Sequence, residues 1–254
     1  MDLAGKTVVI TGAARGLGAA MAKRLAHAGS KLALVDMDGD ALTLTAGECE
    51  HAGSPAVRTY KVNVAREAEV ESLFDSVSAD FGALHGLVNN AGITRDAFTV
   101  KFKDGEQVSK MTLEQWQAVI DVNLTGVFLC GREAAARMIE LGCQGCIINI
   151  SSVSRCGNMG QANYSAAKAG VEAMAVVWAK ELARYGIRAA SIAPGFIGTE
   201  MVMAMKPEAR EKLTAHIPAQ RIGAPDEIAQ TVQFIFENDY ISGRCIDVDG
   251  GLRL

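Results

Sequence analysis

Tyr164 and Lys168 stand four residues apart in Tyr164-Ser165-Ala166-Ala167-Lys168. On a helix that spacing puts a phenol and an ammonium on one face, one turn apart. A neighbouring positive charge lowers a phenol's pKa from its usual value of about 10, so the pair reads as a proton donor and acceptor for neutral pH. Tyr-x-x-x-Lys alone is weak, because most such pairs are solvated helix surface. It gains meaning beside Asn89-Asn90-Ala91-Gly92 and Asn149-Ile150-Ser151-Ser152, each closing an apolar run, and beside a glycine loop, Thr11-Gly12-Ala13-Ala14-Arg15-Gly16-Leu17-Gly18.

Glycines between a strand and a helix let backbone N–H groups and the positive helix end approach a pyrophosphate. The spacing is Gly-x-x-x-Gly-x-Gly. Asp36 lies 24 residues after Gly12 and closes the next apolar run. A carboxylate there accepts hydrogen bonds from an adenosine ribose diol and repels a 2′-phosphate, which favours NAD(H). Arg15 in the loop could instead pair with that phosphate, which keeps NADP(H) as the alternative.

These groups need a scaffold that gathers strand ends. Short Val- and Ile-rich runs at 6–11, 31–36, 57–62, 84–89, 146–150, 187–193 and 244–248 alternate with segments of helical period. Continuous apolar strands between helices predict a seven-stranded parallel sheet covered on both faces, an α/β doubly wound (Rossmann) fold with its crevice at the carboxyl ends. No linker or low-complexity tract divides the chain, so residues 1–254 are expected to form one domain. Two segments break the rhythm: the polar stretch 101–110, ahead of a helix that Thr112 and Gln115 could open as a capping box, and the Met-rich 199–216. Both follow strand ends, where substrate loops belong. Met201, Met203 and Met205 suit ordinary helix packing and a substrate-facing lid equally.

With 25 basic against 29 acidic residues and a net charge of −4, the chain offers no basic stripe for nucleic acid. No run is long enough to cross a bilayer and no leader pattern opens the chain, so a cytoplasmic protein with a small-molecule substrate is expected. Six cysteines are too few for a disulfide framework at this length. Cys143 and Cys146 form a C-x-x-C pair without a second ligand pair or an electropositive setting, and no metal site is expected. None of His27, His51, His85 and His216 falls at a strand end, so a serine hydrolase lacks its base.

Together these motifs make the chain resemble the short-chain dehydrogenase/reductase family over essentially its whole length. The resemblance implies a catalytic set of Asn123, a serine closing the fifth sheet strand, Tyr164 and Lys168. Tyr164 would be the general acid/base, the serine would orient the substrate oxygen, and Lys168 would lower the Tyr pKa and bind the nicotinamide ribose. Asn123 would hold a water that relays protons. Counting from the strand selects Ser152, whereas the family's usual spacing of thirteen back from the Tyr selects Ser151. The strand end fixes geometry while a loop can lose a residue, so Ser152 is preferred. Pro194-Gly195-Phe196-Ile197 with Thr199 resembles the segment against the nicotinamide carboxamide, Asn90, Ala91 and Gly92 belong to the cofactor crevice, and Asn63-Val64 stands where the family often has Asp-Val beside adenine.

Within the family, Ile93 to Asp96, Gly160 to Tyr164 and Arg221 to Pro225 resemble the 3-oxoacyl-[acyl-carrier-protein] reductase branch, and the ending 241–251 resembles a terminal strand used in homotetramers. The expected activity is hydride transfer between NAD(H) and a secondary alcohol or ketone, with a 3-oxoacyl thioester favoured. Alternatives are an NADPH-dependent reductase of fatty-acid synthesis, an NAD-dependent dehydrogenase of a sugar, polyol or steroid-like alcohol, and a non-catalytic dinucleotide-binding protein. An acyl-carrier protein is an uncertain partner, because Glu140 to Gln144 carries no cation and, near the end of the Tyr helix, Arg184 remains beside Tyr185 as a thin docking charge.

Overall fold

The computed structural model describes residues 1–253, with no side chain described for Met201 or Ala209. In chain order the elements begin β1 (Thr7–Thr11), α1 (Gly16–His27), β2 (Lys31–Asp36), α2 (Gly39–His51), β3 (Val57–Lys61), α3 (Glu67–Phe81) and β4 (Gly86–Asn89). Next come β5 (Val100–Lys103), β6 (Glu106–Lys110), α4 (Leu113–Ile120), a π-helical turn (Asp121–Thr125), α5 (Gly126–Glu140) and β7 (Gly145–Ile150). The chain continues with α6 (Ala162–Glu181), β8 (Ile187–Pro194), α7 (Glu200–Met203), α8 (Pro207–Ala215), α9 (Pro225–Glu237) and β9 (Cys245–Val248).

Seven strands form one parallel sheet in the order β3-β2-β1-β4-β7-β8-β9. These are the seven expected runs, with ends moved by one or two residues. The order reverses between β1 and β4, which opens the crevice at their carboxyl ends. Strand alternation splits the core in two. Val8, Ile10, Leu32, Leu34 and Ile148 pack against Met21 and Leu25 of α1 and Ile228, Val232 and Phe236 of α9. Val9, Ala33, Val35, Leu87 and Ile147 face Leu73 and Phe74 of α3 and Leu129 and Met138 of α5. Period two in the strands and 3.6 in the helices therefore bury opposite faces of one sheet.

The polar stretch 101–110 is largely a separate antiparallel hairpin, β5 with β6, exposed on both faces. Asp104 and Gly105 at its tip have φ of 54° and 83°, the left-handed pair that a two-residue hairpin turn demands. The expected capping box at Thr112 and Gln115 opens α4, each side chain bonding the other's backbone N–H at 3.1 and 2.9 Å. Between residues 199 and 216 lie the short helices α7 and α8; Met203 and Met205 are exposed rather than packed, and Met201's side chain lies outside the described residues.

Candidate active site

The glycine loop is held by the strand beside it. Thr11 Oγ1 accepts from the backbone N–H groups of Asn90 (3.0 Å) and Ala91 (3.1 Å), and Asn90 Nδ2 donates to the carbonyls of Thr11 and Gly12, both at 3.0 Å. A Cβ on Gly12, whose φ is +65°, would stand 2.9 Å from Ala91 Cα; one on Gly18 would stand 2.0 Å from the Gly12 carbonyl oxygen. Only glycine permits the loop to close on itself and lay α1 against it. The first turn of α1 has no acidic residue, and Arg15 at its N-cap provides no side-chain cap. A positive helix end left open beside a glycine cradle fits a pyrophosphate, so the residues present suit a dinucleotide.

Asp36 closes β2 with its carboxylate gripped by three backbone N–H groups, those of Met37 (2.7 Å), Asp38 (3.2 Å) and Ala14 (3.1 Å). Arg15 turns to Asp38, Nη2 to Oδ2 at 2.6 Å. Both residues and Asp36 line an open pocket of about 440 Å³ that also includes Asp40 and Lys61.

A second cavity of about 740 Å³ runs from the glycine loop along the strand ends. Gly12, Arg15, Gly16, Leu17, Asp36, Asn90, Ala91 and Gly92 line it on one side; Ser151, Ser152, Tyr164, Lys168, Pro194, Gly195, Ile197 and Thr199 on the other. Gly18 lies behind it, packed on Gly12. Asn63 and Val64 are not in this lining: Asn63 Oδ1 accepts from Ala65 N, and Val64 is buried against Gly126. Ile93, Thr94, Ile150, Phe196, Glu200 and Val202 complete the wall. Strand-end position was a signal for Ile150, adjacency to Asn89-Asn90-Ala91-Gly92 one for Ile93 and Thr94, and the break in rhythm at 199–216 one for Glu200 and Val202.

Helix α6 is moored by buried amides. Asn89 Nδ2 donates to Asn149 Oδ1, and Asn149 Nδ2 to the Val171 carbonyl, each at 3.0 Å. Asn163 donates to the carbonyls of Arg95 (3.0 Å) and Gln115 (2.9 Å) and accepts from Tyr164 N (2.8 Å). Asn123, in the π-helical turn, bonds both the N–H and the carbonyl of Ile93, at 2.9 and 3.0 Å. Its side chain thereby ties the π-helical turn to the cavity loop.

The two adjacent serines part company. Ser151 is buried and its hydroxyl donates to the Lys168 carbonyl at 2.8 Å, whereas Ser152 Oγ accepts from Ser154 N at 3.1 Å and lines the cavity with Tyr164, whose pKa it helps to lower. Lys168 is buried with Nζ donating to the Ile150 carbonyl at 2.7 Å, and burial pulls its pKa down to about 8. Tyr164 corrects the sequence-based expectation. Burial raises its pKa above the usual 10, against the lowering effect of its bond to Ser152. Loss of water around the phenolate is the largest influence, and the Asp96 charge adds to it, while Lys168 Nζ lies 5.5 Å from the ring centroid. The C-x-x-C pair sits elsewhere: Cys146 is buried in β7, where burial pushes its thiol up to about 11, the reverse of an activated thiolate.

A family model described as Enoyl-(Acyl carrier protein) reductase matches residues 12–253. The chain is 41% identical over 256 residues to the 3-oxoacyl-[acyl-carrier-protein] reductase FabG of Thermotoga maritima, covering 99% of each. The chain belongs to the short-chain dehydrogenase/reductase family. It is also similar to the (3R)-3-hydroxyacyl-CoA dehydrogenase of Mus musculus, 37% identical across 96% of this chain and 95% of the relative. The crystal structure of a provisionally named gluconate dehydrogenase from Agrobacterium tumefaciens superposes with a TM-score of 0.89 at 36% identity, covering 99% of this chain and 97% of that one. As a short-chain dehydrogenase/reductase, the chain is an oxidoreductase of a family that uses NAD(P)(H). Among the described residues, no helix is long and apolar enough to cross a membrane.

Proposed function

We propose that this enzyme moves hydride between NAD(H) and a 3-oxoacyl thioester or its 3-hydroxy counterpart, with Tyr164 as general acid/base. One observation carries the reading: Ser152, Tyr164 and the buried Lys168 line a single cavity together with the glycine loop. In ketone reduction Ser152 orients the carbonyl oxygen and Tyr164 donates the proton to it. Lys168, anchored on Ile150, keeps further protons for a ribose hydroxyl. Asn123 and Asn163 hold the 93–95 loop and the start of α6, which keeps the phenol aimed at the reacting oxygen. The dinucleotide, held by the glycine loop and Asp36, supplies the hydride when bound.

Ile93, Ile150, Phe196 and Val202 give the cavity apolar walls, which suit an acyl chain better than a polyol. Asp36 at the end of β2 supports NAD(H) over NADP(H). Carrier protein has thin support as the acyl donor: Arg137, near the 140–144 turn, is tied to Asp75 and Glu140, and Arg184 lies against the Tyr185 ring. A homotetramer packed through the edge strand β9 goes with this reading, and light scattering from a stable monomer would contradict it.

The test is titration with NADH and NADPH, followed by turnover of an acetoacetyl thioester with whichever binds more tightly. Thioester reduction with NADH supports the proposal. Cofactor binding without thioester turnover overturns the substrate and moves the search to other ketones and alcohols.

A further inference from the structure

The cofactor reading above leaves one cation unexplained. Arg15 lies in the glycine loop, where a guanidinium would meet a 2′-phosphate bidentately, yet its Nη2 stands 2.6 Å from Asp38 Oδ2. Asp38 is itself fixed at both ends. Its Oδ1 accepts from Ala41 N at 3.1 Å as the N-cap of α2, and its own N–H donates to Asp36 Oδ1 at 3.2 Å. Asp36 in turn accepts from Ala14 N, the residue before Arg15, at 3.1 Å. Loop, strand end and helix start are locked into one unit in which the arginine faces a carboxylate already held in place.

We propose that Asp38 is a specificity-determining residue that acts by holding the Arg15 guanidinium, so that the loop cation is not free for a 2′-phosphate. The proposal rests on the dinucleotide reading but not on the thioester. It differs from the part played by Asp36, which faces the ribose hydroxyls directly. Asp38 acts through Arg15, and a phosphate entering the pocket must break that pair before it gains a partner. Asp36, Asp38 and Asp40 against Arg15 and Lys61 leave the pocket wall one negative charge in excess. The pair is solvent-exposed, with 63% and 40% of the side chains accessible, so its hold is modest. For an exposed pair a change of about twofold to fivefold in affinity is expected on release.

Four proteins test it: wild type, Asp38→Asn, Arg15→Met and the double variant, each titrated with NADPH and NADH by the quenching of protein fluorescence. Asparagine caps a helix as well as aspartate does, so α2 keeps its start. Asp38→Asn should tighten NADPH binding about twofold to fivefold and leave NADH binding nearly unchanged. In the Arg15→Met background the same substitution should yield little or no gain. Unchanged NADPH affinity in Asp38→Asn overturns the clamp. An equal gain in both backgrounds overturns it too, because Asp38 would then act through its own charge alone. Wild type that prefers NADPH to NADH overturns the NAD(H) reading instead, and the comparison of backgrounds still judges the clamp.

Discussion

Lys168 reaches back across the end of β7 to place its Nζ 2.7 Å from the carbonyl oxygen of Ile150. A buried ammonium with one backbone acceptor carries a cost. Its pKa falls from 10.5 to about 8, equivalent to about 3 kcal/mol against the folded state at neutral pH. Because the folded value lies below the unfolded one, that cost is fully present below pH 8 and is relieved as pH rises towards 10.5. Lys168→Met should therefore be more stable than wild type at pH 7, with an advantage that shrinks by pH 10, while turnover collapses. Urea unfolding of both proteins at the two pH values measures it; an advantage that stays constant contradicts the assignment.

Tyr164 keeps its proton through the neutral range, since burial raises its pKa above 10. Ketone reduction, which needs the phenol and the Lys168 ammonium, should fall as pH rises through about 8, whereas alcohol oxidation, which needs the phenolate, should climb with pH across the alkaline range. Tyr164→Phe should lower turnover by about 10²–10⁴-fold and leave NADH affinity within twofold. Steady-state rates in both directions, with a fluorescence titration, decide it.

Ser151 and Ser152 should separate cleanly. Ser152→Ala removes the hydroxyl on the phenol and should cost about 10- to 1000-fold in kcat with little change in melting temperature. Ser151→Ala removes the bond to the Lys168 carbonyl and should cost about 1 kcal/mol of stability with kcat changed only a few-fold. If Ser151→Ala is the inactive variant, the two roles are reversed.

Gly18→Ala drives a methyl to 2.0 Å from the Gly12 carbonyl oxygen, a contact that only backbone movement can relieve. The expected outcome is a loss of about 1–3 kcal/mol in stability together with weakened binding of both NADH and NADPH. Calorimetry and titration on the same preparation would show the two losses together.

Replacing residues 100–110 by a short Gly-Ser link should leave NADH affinity unchanged, because every residue of β5 and β6 is exposed and their sheet is separate from the seven-stranded one. A large fall in melting temperature would show that the hairpin supports the main fold.

That hairpin illustrates what was legible in the sequence. The inner sheet strands declare themselves by apolar runs because both faces are covered, whereas the edge strands β3 and β9 carry polar residues among their apolar ones. β5 and β6 are wet on both faces, so no burial pattern marks them, and the sequence shows only a polar stretch there. Gly12, Asp36, Tyr164 and Lys168 stand out by residue type and spacing and Ser152 by the family resemblance and the strand end, and the folded chain brings all five to one cavity. The environment of Tyr164 was not legible. Its pKa depends on how much water the cavity removes, and no spacing reports that.

The sequence by itself determined the parallel sheet, the glycine turn and the Tyr-Lys pair, because each depends on local chemistry: strand period, a position where only glycine fits, and one helical turn. Only the tertiary structure decided which serine meets the phenol, in which direction the phenol's pKa moves, and that Arg15 answers to Asp38. These are relations between segments far apart in the chain, set by where the strand ends converge and how much water they exclude.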